Sequence, residues 1–161
     1  MRFEMLHPLP GATALEVRPN TLSCVLRVEG RDGSLLLAGD IEAAQEAALL
    51  ARGASLRSEV LIVPHHGSRT SSTAAFLDAV APEVAVVQAA YRSRFGHPAP
   101  DVLARYAERG IEVVRSDTCG AWTQPGTAAA RADASQPAVC ERLAARRYWH
   151  HPGLRGPALQ P

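Results

Sequence analysis

Four short apolar runs separated by helical stretches constrain this chain most. "LLLAG", "EVLIV", "PEVAVVQA" and "IEVVRS" are each too short for a core helix and read as strands. The first two fit strands buried on both faces. Between them, "IEAAQEAALLARG", "STAAFLDAV" and "PDVLARYAERG" read as helices. Ile41, Ala44, Ala48 and Leu49 are expected on one side of the first helix, and Gly53 is expected to end it. Ser72 or Thr73 suits the N-cap of the second, and Pro100 the first turn of the third. Strand–helix alternation of this kind predicts an α/β fold.

Ahead of these repeats, "RFEML" and "LSCVLRV" read as two strands, the second with Leu22, Cys24, Leu26 and Val28 in period-2 alternation. "EGRDGS" reads as the hairpin turn into "LLLAG". "AWT" is a last short strand. Residues 1–123 therefore form one domain, and 124–161, poor in large apolar residues and closed by a Pro/Gly-rich end, read as a largely disordered tail.

The strand exits carry the chemistry. "LLLAGD" ends in Asp40, "LIVP" in His65 and His66, and "VAVVQAAYRSRFG" in His97. In an α/β sheet, parallel strands place their carboxyl ends along one edge, where ligand sites collect. A carboxylate with two or three imidazoles at that edge suits Zn²⁺ or Mn²⁺. Each residue also has a plain structural role available. Asp40 can be a helix N-cap, the His pair a surface feature, and His97 a turn residue. His7, His150 and His151 read as structural.

Behind the His pair, "GSRTSS" offers Gly67 for close backbone approach, the Ser68 and Thr70 hydroxyls, the Arg69 guanidinium and the N–H groups of the next helix. Tyr91, Arg92, Arg94 and Phe95 mix aromatics with arginines, which suits a single-stranded nucleic acid. Ser68, Arg69, Thr70 and Arg94 are the expected phosphate contacts. The net charge of +1 gives no bulk attraction for a polyanion, so such recognition has to be local. No run approaches the length that spans a bilayer, and the start carries no signal-peptide pattern. The three cysteines have no C-x-x-C spacing, so neither a zinc ribbon nor a disulfide framework is expected. Cys24 reads as buried. A Cys119–Cys140 pair is open to an oxidising compartment.

The order GDIE, PHHGSRTSS, GHP within "NTLSCVLRV…GSLLLAGDIE…EVLIVPHHGSRTSS…RFGHP…GIEVVRSDTCGAW" closely resembles the ComEC/Rec2 family of DNA-internalisation competence proteins, over about residues 3–122. The resemblance is to the second half of their metallo-β-lactamase-like domain. It implies half of an αββα sandwich and a metal-dependent hydrolase, with Mn or Zn, that degrades the non-imported DNA strand during natural transformation. It also implies a parent protein of the inner membrane, with a channel domain and this domain soluble on the periplasmic side. Asp40 matches the metal-binding carboxylate, His65 and His66 the HHGS imidazoles, and His97 the GHP histidine. Asp40, His65 and His66 are thereby the expected catalytic set, and His97 a further metal ligand.

The superfamily's H-x-H-x-D-H motif is absent from this sequence. The expected partners are therefore a single DNA strand, the N-terminal half of the domain and the channel domain. An apolar sheet face or edge should lie exposed where that other half packs. A metallo-hydrolase of another substrate class and a non-catalytic binding or assembly module are the alternative readings.

Overall fold

The computed structural model describes residues 1–11, 18–31, 33–91, 94–124 and 138–145. Six strands form one mixed sheet in sequence order: β1 (Arg2–His7), β2 (Val25–Gly30), β3 (Gly33–Leu37), β4 (Val60–Ile62), β5 (Val84–Val87) and β6 (Glu112–Arg115). The first three pair antiparallel, and β3 to β6 pair parallel. The α/β expectation holds, with an antiparallel flank ahead of a parallel core.

Helices α1 (Ala43–Ala51), α2 (Ala74–Val80) and α3 (Pro100–Ala107) connect the parallel strands. Because strand order never reverses, crossovers of one hand set all three helices on one face. The main core has that composition. Leu36, Leu61 and Ala85 from the strands pack with Leu49, Phe76, Leu77, Val102 and Tyr106 from the helices.

The register explains which face is buried. Arg27, Leu36, Leu61, Ala85 and Val113 form one cross-strand row toward the helices. One residue away the pleat reverses. On the other face, Met5, Leu26, Leu37, Ile62, Val86 and Val114 make a second row, with Phe3, Val28, Leu35, Val60 and Val84 beside it. Over β5 and β6 this face is covered, since Val84 and Val114 pack with Cys119, Trp122 and Cys140. Over β1 it is bare, with Phe3 64% and Met5 58% exposed.

Several expectations about burial are corrected by this geometry. Cys24 is exposed and precedes β2. The buried residues of β2 are Val25 and Arg27, while Leu26 and Val28 are only half-buried on the second face. Arg27 tolerates burial because Nε donates to the Arg57 carbonyl and Nη1 to Glu29. Leu35 and Leu37, and likewise Val60 and Ile62, are also half-buried, so β3 and β4 are fully covered on the helix side alone. In α1, Ala44 and Ala48 are exposed, and Glu46 and Leu49, three residues apart, form the buried side.

A short helix α4 (Ser116–Cys119) leads to a separate hairpin of β7 (Trp122–Thr123) and β8 (Val139–Cys140), followed by one turn, α5 (Glu141–Ala144). These last two elements lie within the stretch expected as tail. The rest of that stretch, 125–137 and 146–161 with His150 and His151, lies outside the described residues. A Cys119–Cys140 disulfide, not part of any larger framework among the described residues, ties β8 to α4 across 21 residues.

Closing a loop of this length removes about 3 kcal/mol of unfolded-state entropy. The Cys119→Ser/Cys140→Ser double variant should therefore lose about 2–3 kcal/mol in urea denaturation against the oxidised chain. An unchanged midpoint would mean that the bond does not hold this hairpin. Among the described residues, no helix is long and apolar enough to cross a membrane.

Candidate functional site

The carboxyl ends of β3, β4 and β5 open on one edge, and four of the expected residues, Asp40, His65, His66 and His97, emerge there. After β3, Gly39 turns the chain with φ +55, and a side chain here would strike Ser23 Oγ at 2.5 Å. That same hydroxyl accepts the Asp40 N–H at 2.7 Å, so the turn is fixed from β2's approach. Asp40 is not the helix cap. Glu42 occupies that position, with Gln45 Oε1 accepting its N–H at 3.2 Å. The Asp40 carboxylate is left half-exposed, and its Oδ1 lies 3.7 Å from His66 Nε2.

The His pair sits in unusual backbone. Pro64–Gly67 makes a tight turn in which His65 and His66 have φ +48 and +56. Left-handed backbone costs an L-residue roughly 1–2 kcal/mol, and two such residues in succession persist only when the surroundings hold them. The His65 N–H donates to the Gly39 carbonyl at 2.9 Å, which locks the β4 exit to the β3 exit.

The two rings then part. His66 Nδ1 donates to the Gln88 carbonyl at 2.8 Å, which aims Nε2 toward Asp40. A ligating histidine is oriented by such a bond from its second nitrogen. His65 Nδ1 lies 3.3 Å from both Glu42 Oε1 and Thr70 Oγ1, and its Nε2 is 3.5 Å from Asn20 Nδ2. Asn20 also donates to Glu42 Oε1 at 3.3 Å.

His97 completes the group from the loop after β5. Its ring centroid is 6.1 Å from that of His65, and its Nδ1 is buried without a hydrogen-bond partner. Burial first, and then the neighbouring His65 and His66, hold its imidazole below the usual range. It is therefore neutral near pH 7, the form that binds metal.

An orphaned ring nitrogen and an oriented Nε2 beside a carboxylate suit a divalent cation. The fit stops at a half-site. Among the described residues, no three His, Cys, Asp or Glu side chains are close enough together to hold an ion.

The expected phosphate contacts are brought near this edge but differ in availability. Ser68 is buried, its Oγ 3.1 Å from Thr70 Oγ1, and Thr70 in turn meets His65. Both hydroxyls hold the loop. Arg69 is 77% exposed on its side chain, with Nε 3.5 Å from Asp101 Oδ1. The guanidinium carbon of Arg94 lies 4.9 Å from the Phe95 ring centre. Tyr91 is exposed, and Arg92 lies outside the described residues. His7 is structural, its Nε2 2.8 Å from the Thr21 carbonyl.

One expectation about anions is narrowed. The Ser72, Thr73 and Phe76 N–H groups around the start of α2 are already taken. The fully buried Glu46 accepts from Ser72 N at 2.6 Å and Thr73 N at 2.8 Å, and Thr73 Oγ1 accepts from Phe76 N. On the other side of the same backbone, Arg105 donates to the Ser71 and Ser72 carbonyls at 3.0 and 2.6 Å. Ser72 Oγ meets the Tyr106 hydroxyl at 3.1 Å, and burial pushes that phenol far above its usual range. Glu46, Arg105 and Tyr106 were not singled out from the sequence. A charged residue three positions from Leu49, on the buried side of α1, was the available signal.

No family model matches the chain. Curated proteins do. It is 40% identical over 120 residues to competence protein ComA of Neisseria gonorrhoeae, across 74% of this chain and 17% of that protein. To ComE operon protein 3 of Bacillus subtilis it is 33% identical over 120 residues, across 74% of this chain and 15% of that one. To recombination protein 2 of Haemophilus influenzae it is 34% identical over 105 residues, across 65% and 13%. The chain belongs to the ComEC/Rec2 family. It spans under a fifth of the length of these relatives. The first of these is named for competence and the last for recombination. Within this ComEC/Rec2 segment, Asp40, Glu42, His65, His66 and His97 are ionisable groups gathered at the sheet edge.

Proposed function

We propose that this segment is one half of a two-sheet αββα domain of metallo-β-lactamase type. In the complete protein, that domain hydrolyses a DNA strand with divalent metal during uptake. The observation that carries the reading is the Asp40–His66 pair, 3.7 Å apart, with His66 turned toward Asp40 by the Gln88 carbonyl. Bound Mn²⁺ or Zn²⁺ would supply a hydroxide at neutral pH and polarise a phosphoryl oxygen.

The residues here would hold and orient. Asp40 and His66 offer two donors, and His97 brings a neutral imidazole to the same edge from the next strand exit without closing a three-ligand site. Glu42 and Thr70 fix the His65 ring, while Arg69 and Arg94 meet the phosphate backbone, contacts that give affinity without sequence preference. The remaining ligands would come with a second half-domain. The apolar rows on β1 to β4, bare over β1 and half-buried over the rest, are a surface for it, since sheets in two-layer folds bury their inner faces against each other. The parent would sit in the inner membrane with this domain on its outer, oxidising side. The Cys119–Cys140 bond supports that placement.

A second reading is favoured by the missing third ligand. The segment would then be a binding or assembly module with no chemistry of its own. Metal analysis of this chain and of the full-length protein in Mn²⁺ and Zn²⁺, with single-stranded DNA cleavage alongside, separates the two. The expected result is near-stoichiometric metal and cleavage in the full-length protein, both lost on Asp40→Ala or His66→Ala, and only weak metal uptake by this chain. Stoichiometric metal in this chain alone would overturn the half-site. A full-length protein that cleaves normally with both substitutions would overturn the ligand assignment.

A further inference from the structure

Phe95 has no role in the site described above. It is 68% exposed, although phenylalanine is among the residues most often buried. It lies two residues before His97, and the two rings are nearly parallel, 16° apart in plane with centroids at 6.2 Å. His97 in turn sits 6.1 Å from His65. A line of rings therefore leads from solvent to the imidazole cluster. Arg94 lies over the Phe95 ring at 4.9 Å, so a cation accompanies the aromatic face. Arg69, on the loop after the His pair, is a second exposed guanidinium.

From these contacts we infer that Phe95 and Arg94 form a stacking platform for an unpaired nucleobase. The platform would give the single strand already expected at this edge a base contact beside its phosphate contacts. This rests on the DNA reading above and deepens it. Every base has a π-face, so an exposed ring accepts any of the four without sequence preference. In a duplex each base is already stacked on its neighbours, and extruding it costs a few kcal/mol. The guanidinium serves the same ligand twice, against the ring system and toward the adjoining phosphate. An aliphatic partner would gain from the phenyl area but not from the cation. A phosphate alone would gain from the cation but not from the ring.

The test compares two labelled strands of equal length by fluorescence anisotropy, an oligothymidylate and an abasic strand with the same phosphates. The abasic strand reads the charge contacts without the bases. In the wild-type chain the oligothymidylate should bind more tightly. Phe95→Ala should weaken it about tenfold, the range of one base–aromatic stack, and leave the abasic strand unchanged. Phe95→Trp should restore it. Arg94→Ala should weaken both strands.

Equal binding of the two strands by the wild type would overturn the platform while leaving the DNA reading standing. Equal weakening of both strands by Phe95→Ala would also overturn it, by showing that the ring only shapes the loop. Binding of neither strand would overturn the DNA reading and the platform with it.

Discussion

Glu46→Ala is expected to destabilise the chain by about 3–5 kcal/mol, the cost of removing one partner from a buried charged contact. Its carboxylate is fully buried and accepts the Ser72 and Thr73 N–H groups at 2.6 and 2.8 Å. Alanine leaves both donors buried without an acceptor, at about 1–3 kcal/mol each, and leaves a cavity beside Leu49. Glu46→Gln keeps one acceptor oxygen and should fall between the two.

The damage should spread along the backbone to the site. Ser72 has φ +57 and is held on its other side by Arg105, so losing Glu46 frees a strained residue only two positions from Thr70. Urea denaturation measures the loss, and the His65 ring resonance, next to Thr70, reports the displacement. A change below about 1 kcal/mol, within the range of an ordinary surface substitution, would mean that water replaces the carboxylate and that this network does not hold the loop.

Gly67→Ala should cost about 2–5 kcal/mol by two separate routes. At φ +78 an L-residue is strained by roughly 1–2 kcal/mol. The added methyl would also lie 2.7 Å from Pro98 Cβ and 3.1 Å from Pro98 Cα. Overpacking of this kind adds about 1–3 kcal/mol, and a ring locked into backbone moves less readily than a flexible side chain. The Ala99 N–H donates to the Gly67 carbonyl at 2.9 Å, so any relief of the clash separates the His66 turn from the His97 loop. The expected signature is a lower midpoint together with a changed environment for the His97 ring. Wild-type stability in Gly67→Ala would show that the two loops are not pressed together here.

Much of the fold was legible because its signals are local. Each short apolar run between turn residues is a strand in the structure, and each helix starts and stops close to its expected cap. Thr73 caps α2, Pro100 opens α3, and Gly53 and Gly110 follow α1 and α3 with positive φ. The strand exits were legible for the same reason. Once β3, β4 and β5 run parallel, Asp40, the His pair and His97 have to emerge on one edge.

Faces and partners were less legible. Period-2 alternation in β2 told the two sides apart but not which side the helices cover, and they cover Val25 and Arg27. Apolar runs in β3 and β4 read as buried on both faces, whereas the helices all lie on one. The anion-friendly N–H groups before α2 were real, but a carboxylate from α1 already fills them.

The sequence by itself determined the order of elements, the family, and which ionisable side chains share the sheet edge. These follow from periodicity, from turn residues and from motifs along the chain. Only the tertiary structure decided that His66 faces Asp40 while His65 turns to Glu42 and Thr70. It alone decided that Glu46 and Arg105 grip the loop, that the helices leave one apolar face bare, and that Cys119 joins Cys140. Each of these is a contact between residues far apart in sequence. Its direction depends on ring rotation, helix phase and register, which no local pattern encodes.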